Sequence, residues 1–270
     1  MNTLHLIFPK ALYCISCGRP LPFKEENSLA LCERCAGEIE WITKKRCRKC
    51  GRPLSDENLA DLCHECVRTQ EQSFSKGYAC ALYSGRAAEL IRDIKYREKV
   101  WYEDTISALM AERYFSEADA ETGELPSYDF IIAVPMAAKK REIRGYDQAE
   151  LFARGLSRRI GVPYLPKALL RVRETDAMSN LSAEERRSNL AFAFSVAYDR
   201  IDRITMKRVL LVDDVYTTGS SVSTCADTLI AAGAALVDFI VFAIGADFCG
   251  TEGRSAVIES PSQLRAKGPT

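Results

Sequence analysis

The chain has 270 residues, 47% hydrophobic and 27% charged, with 37 basic and 37 acidic side chains and a formal net charge of zero. This length and composition suit one α/β domain plus a small module, and the balanced charge excludes a global electrostatic drive toward DNA or an anionic membrane. The longest apolar run, from Phe239 to Ala246, is strand-sized and too short to cross a bilayer. The N-terminal patch Leu4 to Phe8 lacks the basic flank and cleavage site of a signal peptide, so a cytoplasmic protein without membrane insertion is expected.

Residues 1–72 carry eight of the eleven cysteines, in four Cys-x-x-Cys pairs. Cys14 and Cys17 are followed after 14 residues by Cys32 and Cys35; Cys47 and Cys50 are followed after 12 residues by Cys63 and Cys66. A two-residue gap lets both thiolates of a pair bend toward one ion, and a second pair completes a tetrahedron. In a reducing compartment this reads as metal ligation, not disulfides. Iron–sulfur ligation and redox exchange explain the spacing less well than two structural Zn²⁺ sites. The motif Cys-Gly-Arg-Pro-Leu recurs at 17–21 and 50–54, which points to two related units, a double zinc ribbon. Spacing leaves sequential and interleaved ligation open, and sequential ligation is favoured. His64, between two ligand positions, reads as an exposed knuckle residue.

From residue 73 the texture changes to alternating apolar runs and amphipathic segments. Tyr78 to Tyr83 reads as a strand, Ala87 to Ile94 and Glu103 to Tyr114 as helices, and Phe130 to Val134 as a buried parallel strand. Helical spacing over Gln148 to Ile160 stops before Gly161 and Pro163. Tyr164 to Val172 reads as a strand, Val209 to Val212 as a second buried strand, Ser221 to Ala232 as a helix closed by Gly233, and Leu236 to Ile244 as a third buried strand. The alternation predicts a parallel sheet flanked by helices on both faces. This domain is expected to span 73–250, with 251–270 a disordered tail.

The strand at 209–212 runs into Asp213 and Asp214, then into Thr217, Thr218, Gly219, Ser220 and Ser221 at a helix start. Backbone N–H groups and hydroxyls there make a nest for a phosphate, and Gly219 lets the backbone approach the ligand. Two carboxylates just upstream suit ribose hydroxyls and a Mg²⁺ held through its waters. Together they describe a ribose 5-phosphate binder; a capped helix after an ordinary strand accounts less well for both features at this spacing. No Gly-Lys-Ser/Thr follows the strand, which excludes a Walker loop.

This segment resembles the signature of type I phosphoribosyltransferases. With the four Cys pairs, the chain from Cys14 to about Phe248 resembles the ComF family, a double zinc ribbon fused to a phosphoribosyltransferase-type domain and linked to competence and DNA uptake. The resemblance implies 5-phosphoribosyl-1-pyrophosphate as ligand, with Mg²⁺. It implies a pyrophosphate loop at Pro135, Met136, Lys139, Lys140, Arg141, Arg144 and Gly145, further ligand-site residues Lys95, Gln148, Arg171 and Arg173, and a hood over Leu181 to Phe194 with Arg186 and Asn189. Where the family carries a Gln before the hood's Leu, this chain has Met178 or Asn180.

The resemblance further implies a role in handling incoming single-stranded DNA, with DNA or DNA-processing proteins as partners. An active phosphoribosyltransferase of nucleotide metabolism is the alternative; nothing in the sequence names an acceptor. Two basic stretches bear on DNA contact. One is Lys44, Lys45, Arg46, Arg48, Lys49 and Arg52; the other is residues 139–187, with 12 basic and 7 acidic side chains. Tyr13 and Trp41 can stack on bases or pack within the small domain.

Overall fold

The computed structural model describes residues 13–22, 29–43, 45–54, 60–69, 72–173 and 193–246. Four strands form a parallel sheet in the order β1 (Gly77–Leu82), β6 (Leu236–Ile244), β5 (Arg208–Tyr216), β2 (Phe130–Ala133). β6 is buried along almost its whole length, the burial expected of a strand covered on both faces. One face packs under α3 (Gly85–Arg97), α4 (Tyr102–Phe115) and α6 (Gln148–Ile160) through Leu90, Ile94, Ile106, Met110 and Phe152. The other face packs under α8 (Ser220–Ala231) and directly against the second Cys ribbon. The predicted parallel sheet with flanking helices is therefore present, with the ribbon completing one layer.

Each ribbon has a short helix after its third cysteine: α1 (Glu33–Gly37) and α2 (His64–Arg68). Their first knuckles fold alike. Cys14 N donates to Arg19 O at 2.8 Å and Gly18 N to Cys14 O at 2.8 Å; Cys47 N donates to Arg52 O at 2.7 Å and Gly51 N to Cys47 O at 2.9 Å. Between the ribbons, residues 40–42 run along the outer edge of β1, where Trp41 bridges Ala81 and Ile42 N donates to Cys80 O at 2.9 Å. This edge is thereby paired and covered. The Trp41 indole N–H donates to Ala36 O at 2.9 Å, so its ring is anchored between ribbon and sheet.

Three segments differ from their sequence-based expectation. The strand expected at Val209–Val212 continues to Tyr216, because its partner β6 stays apolar to Ile244 and the ladder carries Asp213, Val215 and Tyr216 along it. The strand expected over Tyr164–Val172 is split. Tyr164 bridges Ile131 at the β2 edge, and Leu169–Arg171 (β3) pairs antiparallel with Phe194–Val196 (β4) in a separate two-stranded sheet. Pro166 has no N–H to give a ladder and Lys167 adopts φ 54°, which together break the run. The basic loop expected after β2 is instead a helix, α5 (Ala138–Arg144), closed by Gly145 at φ 79°, since Ala, Lys, Arg and Glu all favour helix. One further short helix, α7 (Ile201–Ile204), leads into β5. The hood residues Met178, Asn180, Leu181, Arg186 and Asn189, and the tail 251–270, lie outside the described residues.

Candidate ligand site and metal centres

The eight paired cysteines form two groups of four, Cys14, Cys17, Cys32 and Cys35, and Cys47, Cys50, Cys63 and Cys66, so the grouping is sequential. Within each group the sulfurs all lie within 4.8 Å of one another, with Cys17 and Cys32 at 3.7 Å and Cys50 and Cys63 at 3.6 Å. A tetrahedron with metal–sulfur bonds of ~2.3 Å has edges of about 3.8 Å, so the donor sets fit a zinc-sized ion. Crowding against Cys47, Cys50 and Cys63, together with burial, pushes the Cys66 thiol well above its ordinary pKa; a cation at the centre relieves that crowding. His64 is exposed and belongs to neither group.

On the helical face of the sheet, Asp214 is 6% exposed and accepts from Lys95 Nζ at 2.7 Å and Gln148 Nε2 at 2.9 Å. Helix α3 supplies Lys95 from its last turn and α6 supplies Gln148 from its first, so three distant segments meet on one carboxylate. Gln148 Oε1 in turn accepts from Arg144 at 2.5 Å, and the Arg144 guanidinium lies over the Tyr96 ring, 5.8 Å from its centroid. Desolvation and the charges of Arg171, Arg144 and Lys95 push the Lys140 ammonium below its ordinary pKa. A cluster of cations this close favours an anion among them.

Asp213 points away from that cluster. Its Oδ1 accepts the Asp214 N–H at 2.8 Å, and its charge adds to burial in raising the Cys225 thiol on α8. Burial and the Asp214 charge hold the Asp213 carboxyl itself well above the usual carboxylate range. Both carboxylates sit within β5 near its carboxyl end, on different partners.

Past Tyr216 the loop turns into α8 through Gly219 at φ 74°. A Cβ there would lie 2.2 Å from the Tyr216 hydroxyl, so only glycine fits. Thr218 Oγ1 and Ser220 Oγ lie 2.9 Å apart. The N–H groups of the first turn of this 12-residue helix have no intrahelical acceptor and, with these hydroxyls, make a small anion cradle.

The remaining candidates are dispersed. Arg141 pairs with Glu150 at 2.8 Å, away from Asp214, and Lys139 is exposed on α5. Arg173 is exposed, whereas Arg171 lies over Phe194, 5.5 Å from its centroid, and stays near enough to Lys140 to act on it. The basic run of the second ribbon is split: Arg46 pairs with Glu117 at 2.6 Å, Lys49 donates to Gln72 O at 3.1 Å and Arg52 donates to Thr217 O at 2.8 Å, while Lys45 and Arg48 are exposed and Lys44 lies outside the described residues. Tyr13 is 60% exposed.

Two residues near the site make contacts that the sequence reading did not assign to them. Asp147 is buried; its Oδ2 accepts from Met136 N at 2.9 Å and its Oδ1 from Ala149 N at 3.0 Å, fixing the segment after β2 to the start of α6. Its place before a helical run is the N-cap signature that could have found it. Arg52 carried no such signal, since it stands far from the loop in sequence.

Residues 3–81 match the Double zinc ribbon domain and residues 147–257 the Phosphoribosyl transferase domain. Competence protein F of Haemophilus influenzae is 34% identical over 211 residues, covering 78% of this chain and 87% of that protein. The DNA utilization protein YhgH of Escherichia coli K12 is 27% identical over 224 residues, covering 83% and 93%. The competence protein ComFC of Streptococcus pneumoniae is 24% identical over 230 residues, covering 82% and 94%. With two four-cysteine groups beside a parallel sheet, matches to both domain models, and 34% identity to a competence protein over most of its length, the chain belongs to the ComF family of competence proteins.

Proposed function

We propose that this protein binds 5-phosphoribosyl-1-pyrophosphate with Mg²⁺ at the carboxyl end of β5 and serves DNA uptake in the cytoplasm by handling incoming single-stranded DNA. The observation that carries the reading is the juxtaposition of the Thr217–Ser221 cradle with the Lys95–Asp214–Gln148 cluster on one strand end. The cradle's N–H groups and hydroxyls take the 5-phosphate. Asp213 and Asp214 take the ribose hydroxyls and a hydrated Mg²⁺, which also relieves the raised Asp213 carboxyl. The segment from Pro135 and Met136 to Arg144 and Gly145, with Lys140 at its centre and Arg171 beside it, takes the diphosphate. The two four-cysteine groups hold structural Zn²⁺.

The competence and DNA-utilization proteins named above support the DNA side of the proposal. Among the described residues no helix is long and apolar enough to cross a membrane. Displacement at C1 with loss of diphosphate needs positioning and charge neutralisation more than an acid–base pair, so the same site serves a binder or a transferase.

Calorimetric titration with 5-phosphoribosyl-1-pyrophosphate and Mg²⁺ tests the site. Binding is expected in the parent protein and lost in Asp213→Ala plus Asp214→Ala, with zinc content unchanged; unchanged binding in the double variant sinks the assignment. A diphosphate-release assay across the common bases then separates the roles. Release with one base makes the protein a transferase of nucleotide metabolism, and binding without release supports DNA handling.

A further inference from the structure

Arg19 and Arg52 hold the same position in the two Cys-Gly-Arg-Pro-Leu repeats, and the fold treats them oppositely. Arg19 is exposed. Arg52 is 4% exposed, donates from Nη2 to the Thr217 carbonyl at 2.8 Å and lies over the Tyr216 ring, 5.9 Å from its centroid. Tyr216 stacks on Phe239 with ring centroids 4.8 Å apart and planes within 5°, and meets Phe74 edge-on at 6.2 Å. Its hydroxyl fills the space beside Gly219. Three positions of the phosphate loop, Tyr216, Thr217 and Gly219, are therefore held by contacts that lead back to a side chain two residues from Cys50.

The arginine is itself fixed by the metal knuckle, since Cys47 N donates to the Arg52 carbonyl at 2.7 Å. Cys50, Cys63 and Cys66 share one packed cluster with Phe74, Tyr216 and Phe239. By contrast, the first cluster packs among the described residues with Leu21 and Leu31 alone. The Thr217 carbonyl and the Thr218 N–H belong to one planar trans peptide. Holding the carbonyl toward Arg52 aims that N–H the opposite way, out of the ribbon–loop contact.

We propose that Arg52 is a positioning residue for the phosphate loop, linking the ion at the second four-cysteine group, and not the ion at the first, to affinity for the ribose 5-phosphate moiety. The inference rests on the reading of Thr217–Ser221 as the phosphate cradle. Without the ion the four cysteines take up protons and lose the bonds that close the knuckle, and Arg52 and the loop's peptide orientation go with it. Linkage makes the effect reciprocal: a ligand in the cradle holds the second ion more tightly.

The test uses the full-length, zinc-loaded protein with ribose 5-phosphate as probe, and inorganic diphosphate with Mg²⁺ as a probe of the basic side of the site. Arg52→Met is expected to weaken ribose 5-phosphate binding about tenfold or more, the worth of a charged hydrogen bond. Diphosphate binding should stay within about twofold. Arg52→Lys should recover part of the loss, and Arg19→Met should change neither probe. Unchanged ribose 5-phosphate binding in Arg52→Met, or equal loss of both probes, overturns the inference. Absence of ribose 5-phosphate binding in the parent protein sinks the cradle reading itself, and the link with it.

A second measurement needs no variant at Arg52. Saturating ribose 5-phosphate should slow transfer of one of the two zinc ions to a chromophoric chelator, and the slowed ion should be the one retained in Cys14→Ser. Release at the same rate with and without ligand overturns the link even where Arg52→Met fails to fold.

Discussion

In the first ribbon, Gly18 has open space where a Cβ would stand and Arg19 faces solvent; in the second, Gly51 lies with its missing Cβ 2.5 Å from the Gly77 carbonyl and Arg52 is buried against the phosphate loop. Both glycines have positive φ, 71° and 76°, and both knuckles close with the same pair of backbone hydrogen bonds. The difference lies in what each unit is docked on. The first ribbon reaches the domain through contacts such as the Tyr102 hydroxyl on the Ile15 carbonyl. The second is a layer of the main core, tied further by Glu117, which gathers Arg46, Arg113 and Lys76. An internal repeat therefore preserves local geometry while its outward residues take whatever role the docking surface assigns.

The largest expected effect separates the ribbons by their ions. Cys63→Ser, in a side chain 0% exposed within the main core, should lose one zinc and destabilise the main unfolding transition by at least ~3 kcal/mol. Cys17→Ser, at an exposed cysteine, should also lose one zinc yet shift that transition by less than ~1 kcal/mol. Metal analysis with denaturant titration checks both, and equal destabilisation breaks the comparison.

Next come the glycines. Gly18→Ala should cost ~1 kcal/mol, the strain of a left-handed residue alone. Gly51→Ala meets that strain and the Gly77 carbonyl, a backbone atom with little room to yield, and should cost ~3 kcal/mol. Similar values for the two variants, by the same titration, show that the second ribbon moves freely on the sheet.

The smallest effect approaches from the ligand side. The Asp213 carboxyl is raised in the folded state, first by burial and then by the Asp214 charge. A carboxyl raised on folding contributes its stability below the unfolded value near ~3.9 and loses it as pH rises through the folded value. Asp213→Asn should therefore melt ~2 °C above the parent protein at neutral pH, an advantage that vanishes by about pH 3. Ligand binding should be lost and both zinc ions kept. A variant that melts lower at neutral pH contradicts the assigned burial.

Much of the site was legible because its signals are local. The Cys-x-x-Cys gaps marked the four knuckles that gather into two four-cysteine groups, and the Thr-Thr-Gly-Ser-Ser turn marked the start of α8. Gln148 to Ile160 was readable as a helix to the residue from its apolar spacing and from Gly161, which ends it at φ 75°. The extension of β5 past Val212 was not legible, because two carboxylates look like a strand end until β6 is seen pairing with them. Nor was the helix α5, whose lysines and arginines read equally as a basic loop.

By itself, the sequence determined which cysteines pair at a knuckle, that β1, β2 and β6 are strands and that a Gly-containing turn leads from β5 into α8, because each depends on residues a few positions apart. Only the tertiary structure decided that the knuckles group in sequential order, that Lys95, Gln148 and Asp214 meet, and that Arg141 turns to Glu150. It also decided that of two identical repeats one arginine stays in water while the other braces the loop. Those outcomes depend on how separately folded elements pack, and a hydrogen bond between Arg52 and Thr217, 165 positions apart, exists only after the ribbon has docked on the sheet.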